Sequence, residues 1–216
     1  MRRYAHSLPE NHDESQWEPL EVHLRAVAAR ARDFAAAFGM DARGEAAGLL
    51  HDIGKVTDAY QNYIRGKGKS PDHSTAGAKE AERRFGPIGR CLAFAIAGHH
   101  AGLADGTQLS ERLTKALESY DDWEAYTGAA PKPVAFPPKK THTRTLLRRF
   151  SSTWFFSCRV DADFLETEAF YAQAAEKVVV RGGFSDISTL RAWLAAFMTD
   201  GVVAVLPERQ SNVPTW

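Results

Sequence analysis

The chain holds eight histidines, and most of them stand beside one another or beside acids. The core signal is His51-Asp52 in the segment LLHDIGK. An apolar helix delivers both side chains at its C-terminal end, and Gly54 lets the backbone turn away. Neutral imidazole and carboxylate together suit a borderline divalent cation such as manganese, iron, cobalt or nickel, with magnesium also possible. A His-Asp dipeptide taken alone is commonly a helix-end pair with no metal. The surroundings change that weighting. His99-His100 ends a second apolar helix, in AIAGHHAGL, and adjacent histidines after an apolar run are costly to bury unless something binds them. His23 lies among Leu20, Leu24 and Val27, where alone it would pass for a core histidine; His73 alone would pass for a polar helix-start residue. With one acid of RVDADFLETE, Asp161 or Asp163, these residues form a set able to hold two cations.

The elements that must position them read mostly as helix. Leu20, Leu24, Val27, Ala31, Phe34 and Phe38 recur at helical spacing behind Pro19, and Gly39 ends that helix. Short helices follow over about Ala42–Asp52 and Asp58–Ile64, then a flexible GKGK connection. Ser74–Phe85 is a polar helix closed by Gly86, and Pro87 opens the CLAFAIAG helix, apolar nearly all round and therefore buried. Ser110–Tyr126 reads as an amphipathic helix. Pro131, Pro133, Pro137 and Pro138 exclude a helix from 127–140, which reads as a surface loop. A basic stretch follows (Lys139, Lys140, Arg144, Arg148, Arg149), then a long helix over about Thr143–Ala175, a short β-like run at Val178–Arg181 and a last helix over Leu190–Met198. Strand signals are scarce, so the fold class is all-α, a helical bundle with the metal site between helices.

Its 216 residues suit one domain, with a core over about 4–175 and 176–216 as a C-terminal appendage or the start of a linker. Apolar residues make up 44%, too many for a disordered chain. Acidic and basic residues balance at 27 each, so nucleic-acid binding must rest on local patches such as Lys139–Arg149, which reads equally as a solvated helix face. Cys91 and Cys158 read as buried free thiols, which fits a reducing cytoplasm. The N-terminal segment has no apolar signal-peptide core, and no run of 18 apolar residues would span a membrane. Trp17, Trp123 and Trp154 read by default as core packing, with base stacking as the other use.

The order of these motifs resembles the nuclease domain of the CRISPR-associated helicase-nuclease of type I interference, within the HD superfamily of metal-dependent phosphohydrolases. YAHSLP, QWEPLEVHL, LLHDIGK, HSTAGA, GHHAGL and VDADFLETE carry the likeness over about residues 4–170. HDIGK alone is common to many such hydrolases; its combination with QWEPLEVHL and GHHAGL is much more specific. The resemblance implies His23, His51, Asp52 and Asp163 on one metal, and Asp52, His73, His99 and His100 on the other, with the two oxygens of Asp52 bridging. It implies that Lys55 steadies the scissile phosphate as a point charge, that the substrate is single-stranded DNA, and that the partners are a CRISPR helicase, fused or separate, and the RNA-guided surveillance complex. No GxxxxGK[ST] loop occurs, so this chain carries no ATP-driven motor: it is a stand-alone nuclease subunit or the front end of a longer protein.

Two alternatives stand beside the nuclease: a phosphohydrolase of nucleotides or cyclic nucleotides, and a non-catalytic docking subunit whose metals are structural. Within RVDADFLETE, residues two apart on a helix point about 200° from each other, so only one of Asp161 and Asp163 faces the site. The apolar neighbours of Asp161 favour it by periodicity. The resemblance matches Asp163, followed by an aromatic and an aliphatic residue, and Asp163 is the expected ligand.

Overall fold

A computed structural model describes residues 2–8, 11–98, 100, 102–127, 141–182 and 185–200. His99, most of the expected proline-rich loop (128–140), and Lys139 and Lys140 of the basic stretch lie outside the described residues, as do the side chains of Arg144, Arg148 and Arg149. The chain divides into two compact units, Met1–Val178 and Val179–Trp216.

The first unit is built from helices, as the periodicity predicts. They are α1 (Leu20–Ala36), α2 (Asp41–Leu50), α3 (Asp58–Tyr63), α4 (Ser74–Ala97), α5 (Gly106–Thr114), α6 (Glu124–Thr127) and α7 (Thr141–Ala174), with a 3-10 turn at Ile53–Val56 between α2 and α3. Helices α1, α2, α4 and α7 pack against one another. Leu20, Leu24, Leu50, Ile53, Leu92 and Ile96 are fully buried at their centre. Each such side chain removed from water stabilises by about 1.5–3 kcal/mol. Gly86 takes φ 55° and ψ −127°, outside the helical range, ahead of Pro87, so α4 consists of two helical stretches that meet at a kink where the sequence divides them.

Close approach between helices depends on missing side chains. A Cβ at Gly48 would lie 2.5 Å from Ala28 Cα, so α2 rests directly on the α1 backbone. A Cβ at Gly77 would lie 1.8 Å from Leu50 O, so the start of α4 rests on the end of α2. These contacts fix where His23, His51 and His73 stand relative to one another.

Several local expectations are corrected. Ser110–Tyr126 is not one helix: Asp105 caps α5 early with a capping box, Lys115 turns extended at ψ 139°, and Trp123 is drawn into the core instead. Val178–Arg181 forms no strand; a strand needs a partner, and none of the described strands pairs with it. The described strands are β1 (Tyr4–His6) and β2 (Glu18–Pro19), a short antiparallel pair. Trp17 and Trp123 are buried, but Trp154 is 42% exposed and packs on Phe38, with Phe155 filling the core in its place. In the second unit α8 (Ile187–Asp200) is the expected last helix, begun earlier by the Asp186 side chain, which accepts the Thr189 N–H. Among the described residues, no helix is long and apolar enough to cross a membrane.

Candidate metal centre

Histidines and acids gather where α1, α2, α4 and α7 meet. His23 comes from the first turns of α1, His51 and Asp52 from the end of α2, His73 from the residue before α4, and Asp163 from α7. His23 and His51 are fully buried and Asp52 is 2% exposed. Two groups of donor atoms result, each spanning less than 4.8 Å: His23, His51 and Asp52, and Asp52, His73 and His100. Asp163 joins the first group, with Oδ1 3.5 Å from His23 Nε2 and 3.7 Å from His51 Nε2. Asp161 is exposed, and of the neighbours of Asp163 it is Arg159 and Thr167 that contact its carboxylate. The apolar neighbours of Asp161 do not turn it inward, because the face of α7 toward the cluster carries Arg159 and Asp163.

Asp52 belongs to both groups, and it divides its oxygens between them. Oδ2 lies 3.3 Å from His51 Nε2 and 3.9 Å from His23 Nε2, while Oδ1 lies 3.6 Å from His73 Nε2. His73 Nε2 is in turn 2.8 Å from Nε2 of the exposed His100.

The histidines are aimed from behind. His51 Nδ1 donates to Gly48 O at 2.7 Å and His73 Nδ1 to Pro71 O at 3.2 Å, which leaves Nε2 of each facing the acids. Gly54 serves the same end. Sequence reasoning gives it a turn, but its φ is not positive; a Cβ there would lie 2.2 Å from His73 O, so glycine admits the His73 backbone against the 3-10 turn. Arg112 ties both ends of α4 together, donating to Ala97 O at 2.5 Å and to Ser74 Oγ at 2.8 Å.

Lys55 is 4% exposed and does not point to solvent. Its Nζ pairs with Asp52 Oδ2 at 2.7 Å and donates to Ala5 O at 3.3 Å. In this arrangement the ammonium holds the shared carboxylate. Arg159, 1% exposed, does the same for Asp163, donating from Nη1 to Oδ2 at 3.3 Å. Strand β1 is clamped beside them by the buried Gln61, whose amide donates to Tyr4 O and Lys55 O and accepts from Tyr4 N–H. Arg159, Gln61, His6 and Glu18 escaped sequence reasoning. Glu18 stands in QWEPLEVHL and His6 in YAHSLP, but no local pattern marks either as facing the cluster.

The electrostatics are those of a site short of positive charge. Burial opposes a proton on His51, yet Asp52 and Asp163 outweigh it and lift the imidazole to about 9. Burial would raise both acids, but the surrounding cations hold Asp163 and Asp52 well below the usual carboxylate range, His51 foremost. Glu18 is held down at about 2, against its burial, by His23 and His6. A buried pair of carboxylates ringed by imidazole nitrogens, with His23 Nε2 making no hydrogen bond, is a donor set that fits a divalent cation.

Comparison with known proteins agrees. The HD domain family matches residues 20–133, which contain His23, His51, Asp52, His73 and His100. Domains of this family are typically metal-dependent hydrolases. A search of the curated proteins and of the solved structures found no match. With more than half of its length matched, and with an all-α fold that gathers histidines and acids between helices, the chain belongs to the HD domain family.

Proposed function

We propose that the protein is a metal-dependent nuclease that hydrolyses phosphodiester bonds of single-stranded DNA, serving CRISPR interference beside a helicase and an RNA-guided surveillance complex. The observation that carries the hydrolytic reading is Asp52, whose two oxygens face two separate histidine groups. His23, His51, Asp52 and Asp163 would hold one cation, and Asp52, His73 and His100, with His99, a second. Paired divalent cations supply an activated water and stabilise the departing oxygen. The chain's own residues do the positioning. Lys55 fixes Asp52, Arg159 fixes Asp163, and the backbone carbonyls of Gly48 and Pro71 fix His51 and His73. The direct phosphate contact that the resemblance implies for Lys55 requires Nζ to leave its pair with Asp52, so its role here is to hold the bridging carboxylate.

The choice of DNA rests on the likeness of YAHSLP, QWEPLEVHL, GHHAGL and VDADFLETE to the CRISPR-associated nuclease. The exposed His100 at the edge of the second group favours a substrate that approaches from the surface. The test is incubation of the purified protein with single-stranded DNA, duplex DNA and nucleotides across a panel of divalent metals. Metal-dependent cleavage of single-stranded DNA ahead of duplex is expected. Rapid hydrolysis of free nucleotides without DNA cleavage would overturn the choice of substrate.

A further inference from the structure

Three histidines turn Nε2 toward the acids, but they are not held alike. His51 and His73 sit at helix ends and lean on backbone carbonyls, Gly48 O and Pro71 O. His23 stands inside α1, where the carbonyls around it are spent on the helix itself, so its Nδ1 needs a side chain. The group that faces it is Glu18, 8% exposed, with Oε2 3.2 Å from His23 Nδ1. Glu18 Oε2 also accepts from His6 Nδ1 at 2.7 Å. His6 Nε2 lies 3.4 Å from Lys55 Nζ, and Lys55 returns to Asp52.

The neighbours of each ring nitrogen decide where its proton sits. An ammonium has only donors, so His6 accepts at Nε2 and carries its proton on Nδ1, directed at Glu18. His23 stands between carboxylates, with Glu18 Oε2 3.2 Å from Nδ1 and Asp163 Oδ1 3.5 Å from Nε2, so a cation at Nε2 would take the lone pair there and leave the proton on Nδ1, directed at Glu18. His23 Nδ1 makes no hydrogen bond in this structure, although Glu18 Oε2 stands 3.2 Å away.

We propose that Glu18 is the positioning residue of the buried half of the centre: its carboxylate is the acceptor for His23 Nδ1–H, which favours the tautomer that presents Nε2 to a cation, and it is itself locked by His6. The proposal rests on the metal-dependent reading above and adds an outer carboxylate to it. Carboxylate partners of this kind raise the basicity of a ligating imidazole and restrict its orientation. A cation between His6, Glu18 and His23 is disfavoured, because His6 Nδ1 carries a proton and an ammonium stands 3.4 Å from His6 Nε2.

The test uses cobalt(II) as the probe, titrated into the full chain by calorimetry and followed by its visible absorption. Wild type, Glu18→Gln, Glu18→Ala and Glu14→Gln are compared, with thermal unfolding of each metal-free protein as the check on folding. Glu14 is the control from the same segment, paired with Arg65 and away from the site. Glu18→Ala is expected to weaken the tighter cobalt step by about 10–100-fold and to shift its absorption bands. Glu18→Gln, nearly isosteric, is expected to weaken that step less while unfolding at the wild-type temperature, and Glu14→Gln to bind as wild type does. Wild-type affinity and spectrum in both Glu18 variants would overturn the proposal while leaving the metal reading intact. An equal loss in Glu14→Gln would overturn it too, by reducing the effect to anchoring of the segment. A third wild-type equivalent that vanishes in Glu18→Gln would make Glu18 a ligand and overturn the positioning role. A wild-type chain that takes up no cobalt would overturn the metal reading itself.

Discussion

The two halves of the centre share Asp52 and differ in almost everything else. In the half formed by His23, His51 and Asp163 the two histidines are fully buried, and its side chains are met by side chains and carbonyls from several elements. The half formed by His73 and His100 is partly open: His73 hangs from the segment before α4, and His100 is exposed. Burial with prearranged partners favours tight, persistent binding, because little order is gained when the cation arrives. An open half with fewer constraints suits exchange with solvent and access for a substrate. On the proposed function, the contrast implies that one cation of the pair stays bound between turnovers, while the other exchanges and completes the pair for the reaction.

The largest effect should come from the residue common to both halves. Asp52→Ala is expected to abolish metal-dependent hydrolysis, by at least about a thousandfold, since several kcal/mol of cation-derived stabilisation disappear at once. Assays of purified protein with added manganese check it; activity within tenfold of wild type, or about 1.4 kcal/mol, would contradict the sharing.

Next comes the buried half. Asp163→Asn is expected to weaken one bound cation by about a hundredfold or more, because outer partners alone are commonly worth about 10–100-fold. Asp161→Asn should retain wild-type metal content. Metal per chain after gel filtration distinguishes them, and the reverse pattern would mean that α7 is rotated relative to the helices it packs on.

A smaller effect is expected in the open half. His100→Asn should lower turnover by about 10–100-fold while leaving the tighter cation in place. Loss of both cations in this variant would erase the distinction between the halves.

Smallest in its effect on hydrolysis is Gly54→Ala, which places a methyl group against the His73 carbonyl and is read first on stability. Overpacking of this kind costs about 1–3 kcal/mol, a fall in melting temperature of about 2–4 °C per kcal/mol at this chain length. Thermal unfolding measures it, and weakened binding at the open half should accompany it.

Much of this was legible before the fold was in hand. His51-Asp52 and the helical spacing of Leu20, Leu24 and Val27 mark the helix end where histidines and acids gather and the α1 face that is buried. The choice between Asp161 and Asp163 shows where periodicity stops being a guide: it ranks faces by apolarity, while a ligand face is polar inside the protein. Glu18, His6 and Arg159 were not legible because their significance lies in contacts that join distant segments, such as β1 with the 3-10 turn that carries Lys55. Gly54 was recognised for the wrong reason, since glycine in a turn and glycine under a neighbouring backbone look alike in one dimension.

The central claim is that Asp52 joins two cation sites that together perform the hydrolysis. Its most direct test is a manganese titration of wild type and Asp52→Ala, with metal per chain and cleavage of single-stranded DNA measured on the same samples. Two unequal binding steps are predicted for wild type, with cleavage appearing as the weaker one fills and ceasing in a chelator. In Asp52→Ala both steps weaken and cleavage is lost. Undiminished cleavage by wild type in the chelator, or two intact binding steps in Asp52→Ala, would contradict the account.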